Sequence, residues 1–387
     1  MTWGLFTLLI LTFACQSTPE EAASTSEANS MDSLKTATGL LSTDFDTILN
    51  GQTVGLHWIR NDSILAAFTN YGARIIGLWV PDKEGNWTDV VVGMGSIDGY
   101  LESSEPYFGA TIGRVGNRIA KGKFSLNGQE YQIPVNNGEN TLHGGVKGFQ
   151  DVVWSVSQPD SSTLVFEYRS PDGEEGFPGN LDAEVTYIVN DKRAITMEYK
   201  ATTDQTTVVN LTNHAFFNLN GEGSGGILNH KVVFFADRFT TVDEGLIPTG
   251  ELLDVKDTPF DFTTENTIGA RINSRNKQLE HGGGYDHNFV LNGTQAHGMN
   301  YAAHITGDLS GIVMDVYTRE PGMQFYSGNF MQGQNTFKSG ARDEYRTAFA
   351  LETQHFPDAP NQPDFPSIVL EPGQTYHTES EYQFSVE

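Results

Sequence analysis

In the stretch Asn210-Leu-Thr-Asn-His-Ala-Phe-Phe-Asn-Leu219, an imidazole stands among hydrogen-bonding groups. An extended chain alternates its side chains between two faces. Leu211, Ala215, Phe217 and Leu219 then share one face, broken only by Asn213, while Thr212, His214, Phe216 and Asn218 share the other. A strand apolar on one side and polar-aromatic on the other suits the wall of a ligand pocket; a core histidine satisfied by its Thr or Asn neighbours is the alternative. Further stretches supply partners. In Ala348-Phe-Ala-Leu-Glu-Thr-Gln-His355, Glu352 directly follows an apolar run, where an ionised carboxylate is costly unless partnered. Such placement raises a glutamate pKa towards the range useful for acid–base work. In Ile112-Gly-Arg-Val-Gly-Asn-Arg-Ile119, Arg118 offers a planar fork of donors for vicinal hydroxyls or a carboxylate, and Arg114 reads equally well as an internal ion-pair residue. Asn140-Thr-Leu-His-Gly-Gly145 sets His143 beside glycines that would let the backbone approach a ligand. In Gly284-Tyr-Asp-His-Asn-Phe-Val290, Asp286 and His287 point to opposite sides, so one of them faces the pocket. Two imidazoles and a carboxylate can also hold zinc or iron. No H-x-H, H-x-x-x-H or C-x-x-C spacing supports a metal, and none is expected.

The elements that must position these groups read as strands. Ile64–Phe68, Ile75–Val80 and Asp89–Gly93 are short apolar segments separated by turn residues, and similar segments recur to Gln324–Tyr326. Asn127-Gly128 between two alternating segments predicts a tight hairpin, because both residues accept positive φ. Only the stretch from about Thr263 to Leu279 predicts a helix, and a short one. Strands in close succession argue an antiparallel all-β sandwich. No Pro- or Ser-rich linker interrupts residues 40–387, which read as one large β domain.

Asp and Glu outnumber Lys and Arg by 49 to 23, giving a net charge of −26. That surface repels phosphate backbones and anionic lipid, so no nucleic-acid partner is expected. The single cysteine, Cys15, ends the apolar run Leu5–Ala14, which is too short to span a membrane but fits a signal-peptide core. Residues 1–15 therefore read as a lipoprotein-type signal with Cys15 as the lipidation site, and residues 16–39, rich in Ser, Thr, Ala and Glu, as a flexible tether. The expected location is exported: periplasmic, or anchored at the outer membrane of a bacterium, with membrane contact only through the lipid. Nothing in the residues fixes an oligomeric state.

Together the motifs resemble the aldose 1-epimerase (galactose mutarotase) family. The resemblance covers residues 45–385 and rests on Gly113-Arg-Val-Gly-Asn-Arg-Ile119, Leu142-His-Gly-Gly145, Leu211–Leu219, Tyr285-Asp-His-Asn-Phe289, Pro321-Gly-Met-Gln-Phe-Tyr326 and Leu351-Glu-Thr-Gln-His-Phe-Pro-Asp-Ala359. It implies a large antiparallel β-supersandwich with an open sugar cleft, an aldose sugar as partner and no cofactor. By position, Glu352 matches the family's general base and His214 its general acid. His143 matches the second pocket histidine, and Asn117, Arg118, Asp286 and Gln324 match residues that bind sugar hydroxyls. Mutarotation needs a proton taken from the anomeric hydroxyl and one given to the ring oxygen, with a carboxylate on one side and an imidazolium on the other. The expected pH profile is a bell with its acidic limb from Glu352 and its basic limb from His214. Phe216, Phe289 and Phe325 are the candidates to cover the sugar's apolar face, although each reads first as a core ring. The rival readings are a cell-surface sugar-binding protein without catalysis, a relative acting on hexose 6-phosphates, and a metal-dependent sugar isomerase.

Overall fold

The computed structural model describes Met1, Ser33 and residues 35–387 other than Thr294. Cys15, the apolar run before it and most of the expected tether lie outside the described residues. The chain divides into two units, Met1–Gly39 and Leu40–Glu387, and every described strand belongs to the second.

The alternation read from the sequence builds two large antiparallel sheets. The larger has ten strands. Its centre runs Leu181–Asn190, Ala194–Thr203, Tyr376–Val386, Ile312–Thr318 and Met299–Thr306 in spatial order. The C-terminal strand is thus inserted between strands made much earlier. The second sheet has six strands, in the order Phe216–Phe217, Phe349–Gln354, Gly322–Tyr326, Asp286–Val290, Arg238–Val242 and Pro248–Asp254. A four-stranded sheet, Leu56–Arg60 to Trp87–Asp89, contributes Ile59, Phe68 and Leu78 to the same core.

Register decides what each face of the six-stranded sheet carries. Phe289, Met323, Phe325, Phe349 and Leu351 turn inward against Met314, Tyr382 and Phe384 of the ten-stranded sheet. Each such burial contributes about 1.5–3 kcal/mol. The Tyr382 hydroxyl donates to the Leu351 carbonyl at 2.7 Å, and the Thr353 and Ser380 hydroxyls meet at 2.6 Å. Asp286, Gln324 and Glu352 occupy the alternate positions and so share the opposite face, where Asp286 and Glu352 line a cleft of about 1000 Å³.

Local expectations fared unevenly. The Asn127-Gly128 hairpin forms, with φ of 51° and 82°, between Lys123–Leu126 and Gln129–Gln132. The stretch 210–219 keeps its predicted faces but is broken, with ladder pairing at Thr212–Asn213 and Phe216–Phe217 and a single parallel bridge from Asn210 to Val115. Its break leaves His214 and Ala215 between two different partners, Thr111–Ile112 and Phe349–Gln354. The helix expected near 263–279 is displaced: a 3-10 turn covers Ile268–Ala270 and a short α-helix Lys277–Gly282. Asn276 caps that helix by accepting from the Gln278 N–H, and Gly283 ends it at φ 63°.

Candidate active site

The cleft floor is built from strands distant in sequence. Gln324 is the direct cross-strand neighbour of Glu352, and Asp286 lies on the next strand along the same face. Gln324 Nε2 donates to Asp286 Oδ1 at 2.6 Å, and Arg118 Nη2 lies 3.8 Å from Asp286 Oδ2. Arg118 reaches this point because Arg118–Ile119 pairs with Thr141–Leu142, Leu142 standing opposite Arg118, and that pairing also delivers His143. Its Nε donates to Asn137 Oδ1 at 3.3 Å.

The turn holding His143 depends on residues with left-handed backbone. Asn117 sits at φ 61°, and its Oδ1 accepts from the Arg118 N–H at 2.9 Å. The Asn117 N–H donates to His143 Nδ1 at 3.1 Å. Gly144, at φ 88°, packs on the backbone of Gly113, where an added Cβ would lie 2.0 Å from the carbonyl oxygen. An added Cβ on Gly145 would meet the Glu175 side chain. These glycines therefore allow close packing within the chain, against Gly113 and Glu175, and not an approach to ligand as the sequence suggested.

His214 Nε2 and Glu352 Oε1 are 3.6 Å apart, and both residues are buried. The two groups are adjacent on one floor and do not face each other across the cleft. That suits mutarotation better, because the anomeric and ring oxygens are both bonded to C1. Burial pushes the Glu352 carboxyl well above its usual range; Asp286 and Glu105 push the same way and Arg118 opposes them. Burial also lowers the His214 imidazole to about 3. Both shifts favour the uncharged forms, with the shared proton on Glu352.

His143, His214 and Glu352 each bring a ligand-type atom within 4.8 Å of the others. The tautomer of His143 weighs against a metal there. Its Nδ1 is occupied as an acceptor, so in the neutral ring the proton sits on Nε2, which then offers a donor rather than a lone pair. A donor at that point suits a sugar oxygen.

The other singled-out residues separate cleanly. Arg114 is buried and structural: Nη1 donates to the carbonyls of Pro178 and Gly179 at 2.9 Å, and Nη2 to Ser170 Oγ at 2.5 Å. His287 turns away from Asp286 into the core, against Phe260, with Nε2 3.2 Å from Gln278 Oε1. Phe289 and Phe325 are core, and Phe216 packs beneath His214 against Phe108. The rings that line the cleft are Tyr107, Tyr326 and Phe330. Tyr107 stacks on His214 with centroids 5.7 Å apart and meets the His143 ring at 4.5 Å. Sequence reasoning missed Tyr107 and its neighbour Glu105, whose carboxyl burial raises to about 7. The only available signal was an aromatic wedged between proline and glycine in Glu105-Pro-Tyr-Phe-Gly109.

The aldose 1-epimerase family model matches residues 56–383. The chain belongs to the aldose 1-epimerase family. A galactose mutarotase from Bos taurus is 45% identical over 88% of this chain and 97% of its own length. The aldose 1-epimerase of Escherichia coli K12 is 35% identical over 87% and 97%. Among solved structures, an aldose epimerase homologue from C. elegans superposes with a TM-score of 0.77 at 31% identity, covering 86% of this chain and 99% of that one. The fold is the galactose mutarotase-like β-supersandwich, as the motifs implied. The protein is an isomerase that interconverts the α- and β-anomers of aldoses.

The same relatives overturn the expected location. Identity is higher to the bovine enzyme than to the E. coli one, which conflicts with a periplasmic or outer-membrane-anchored bacterial lipoprotein. The error came from weighting a short apolar run ending in cysteine above everything downstream of it.

Proposed function

We propose that residues 40–387 form the catalytic domain, that Glu352 is the general base and that His214 is the general acid. The observation that carries this reading is the 3.6 Å approach of His214 Nε2 to Glu352 Oε1 on the cleft floor. With the sugar's C1 above the pair, Glu352 takes the anomeric hydroxyl proton while His214 delivers one to the ring oxygen. The ring opens to the aldehyde, C1–C2 rotates, and the same two groups in exchanged roles close the other face. Each transfer is worth roughly 10²–10⁴-fold. Asn117, Arg118, His143, Asp286 and Gln324 hold the hydroxyls, and the aromatic rims of Tyr107, Tyr326 and Phe330 lie against the sugar. Galactose and glucose are the substrates to try first, the former because of the bovine relative's name. The cleft lining carries seven carboxylates, Glu105, Glu139, Asp151, Asp243, Glu244, Asp286 and Glu352, against Arg118 and Lys121. That balance disfavours a phosphorylated sugar.

Freshly dissolved α-galactose and α-glucose followed by polarimetry should equilibrate faster with the protein than without, and chelator treatment should leave the rate unchanged. Sugar binding with no acceleration would replace catalysis by a lectin role. Loss of activity on chelation, restored by metal, would replace the metal-free mechanism.

Arg118→Ala should weaken sugar binding by roughly 10- to 150-fold, the loss of one charged hydrogen bond, in a protein that still folds. Isothermal titration and thermal melting check this together. Collapse of the melting temperature with binding retained would make Arg118 a structural partner of Asp286.

A further inference from the structure

Beneath the sugar-facing groups, the same face of the six-stranded sheet carries a second polar tier. Asn288 stands directly opposite Gln324, and Gln324 opposite Glu352. Gln354, two residues beyond Glu352, shares its face and lies opposite Gly322. A Cβ on Gly322 would lie 2.5 Å from Asn288 Oδ1, so the Asn288 amide extends over that glycine. The tier is closed by the satellite apolar cluster that includes Val290 and Phe356, the Phe356 ring also lying over Gly322. Asn288, Gln324, Glu352 and Gln354 are 1%, 3%, 2% and 0% exposed.

Among the described residues, six atoms on these four side chains have no hydrogen-bond partner: Asn288 Nδ2 and Oδ1, Gln354 Nε2 and Oε1, Gln324 Oε1, and Glu352 Oε2. A single unpaired amide can be an accident of packing. Two whole amides and a carboxylate oxygen on one sheet face, with the Gln324 strand between those of Asn288 and Gln354, form a lining. Buried polar groups are satisfied by protein or by ordered water, and a buried water makes about three hydrogen bonds. Six atoms then correspond to about two waters.

We propose that Asn288, Gln324 and Gln354 form an internal hydration site that holds ordered water against Glu352 Oε2 and so stabilises the ionised form of this carboxylate. The inference rests on the reading of Glu352 as base. The charged and titratable groups around Glu352 are His214, His143, Asp286, Arg118, Glu105, Tyr326 and Tyr382. None of them hydrogen-bonds Oε2, and Arg118 alone lowers its proton affinity. Water donating to Oε2 supplies what the neighbours do not. Asn288 and Gln354 are thereby positioning residues that act through the water.

The test is the pH dependence of kcat/KM in Gln354→Met, which keeps volume and removes both polar atoms, and in Asn288→Leu. The working form has Glu352 ionised and His214 protonated, a minority of the one-proton state. Raising the proton affinity of Glu352 lowers that minority and moves the alkaline limb upward by the same factor. The expected result is a plateau lower by about tenfold, a limb displaced upward by about one pH unit, and rates that converge with wild type above the limb. A loss uniform at every pH, or an unmoved limb, overturns the proposal. If Glu352 is not the base, the alkaline limb survives in Glu352→Gln, which marks failure of the underlying reading instead. Should both variants fail to fold, a high-resolution crystal structure of the wild type decides. Water density between Glu352 Oε2 and the Gln354 amide supports the site, and direct contacts among the side chains without water overturn it.

Discussion

Glu352→Gln is expected to lower mutarotation turnover by at least about 10²-fold while sugar binding persists. Gln keeps the shape of the side chain and its ability to hydrogen-bond, so the floor beside Gln324 stays filled. What disappears is the basicity needed to take up the anomeric proton, because an amide oxygen accepts hydrogen bonds but does not hold a proton. Bulk solvent does not replace the missing base, because the position is 2% exposed. The substitution also removes the group whose ionisation burial and Asp286 oppose, so the variant should melt no lower than the wild type. Turnover by polarimetry, binding by titration calorimetry and a thermal melt separate these effects. Full activity in Glu352→Gln would remove the base role, and loss of binding with activity would make the residue a hydroxyl ligand.

What the sequence revealed depended on the range of the cause. Period-two alternation is local, so the faces of residues 210–219 and the opposite senses of Asp286 and His287 were legible from single stretches. Turn chemistry is equally local, and Asn127-Gly128 behaved accordingly. Spatial order is not local. Nothing in either stretch says that the break after Asn213 brings His214 beside Glu352, or that Gln324 is the strand neighbour between Glu352 and Asn288. The family motifs supplied the names of these residues without their adjacency, which is why acid and base were expected on opposite sides of the sugar. Arg114 and Arg118 show the same limit. Both lie in one short motif, yet one is spent on the carbonyls of Pro178 and Gly179 and the other on Asp286. Tyr107 and Glu105 were missed because a loop has no period to read. The amide tier was missed because Asn288 and Gln354 look like ordinary strand polars until their burial is known.

His214→Asn is expected to cost at least about 10²-fold as well, and the double variant less than the product of the two, since one proton circuit needs both groups. The stronger test is the direction of the pH dependence. Burial raises Glu352 and lowers His214 to about 3, the reverse of the order their roles require. Both directions favour a pair that keeps a single proton through neutral pH. Across that window a constant minority has the working arrangement, so wild-type kcat/KM is flat through neutral pH. It falls at the alkaline end, when the pair loses its last proton, and at the acid end only when His214 takes a second one. The limbs expected from these directions are exchanged relative to the assignment made from residue types, which put Glu352 on the acid side. Removing His214 removes the sharing. Residual activity in His214→Asn then needs only ionised Glu352, so it should rise with pH through the limb where the wild type falls. An acid limb for the wild type between about pH 4 and 6.5, the ordinary carboxylate-to-imidazole range, would instead mean that Glu352 ionises before His214. In that case the neutral resting pair would be wrong, and His214 would carry the alkaline limb.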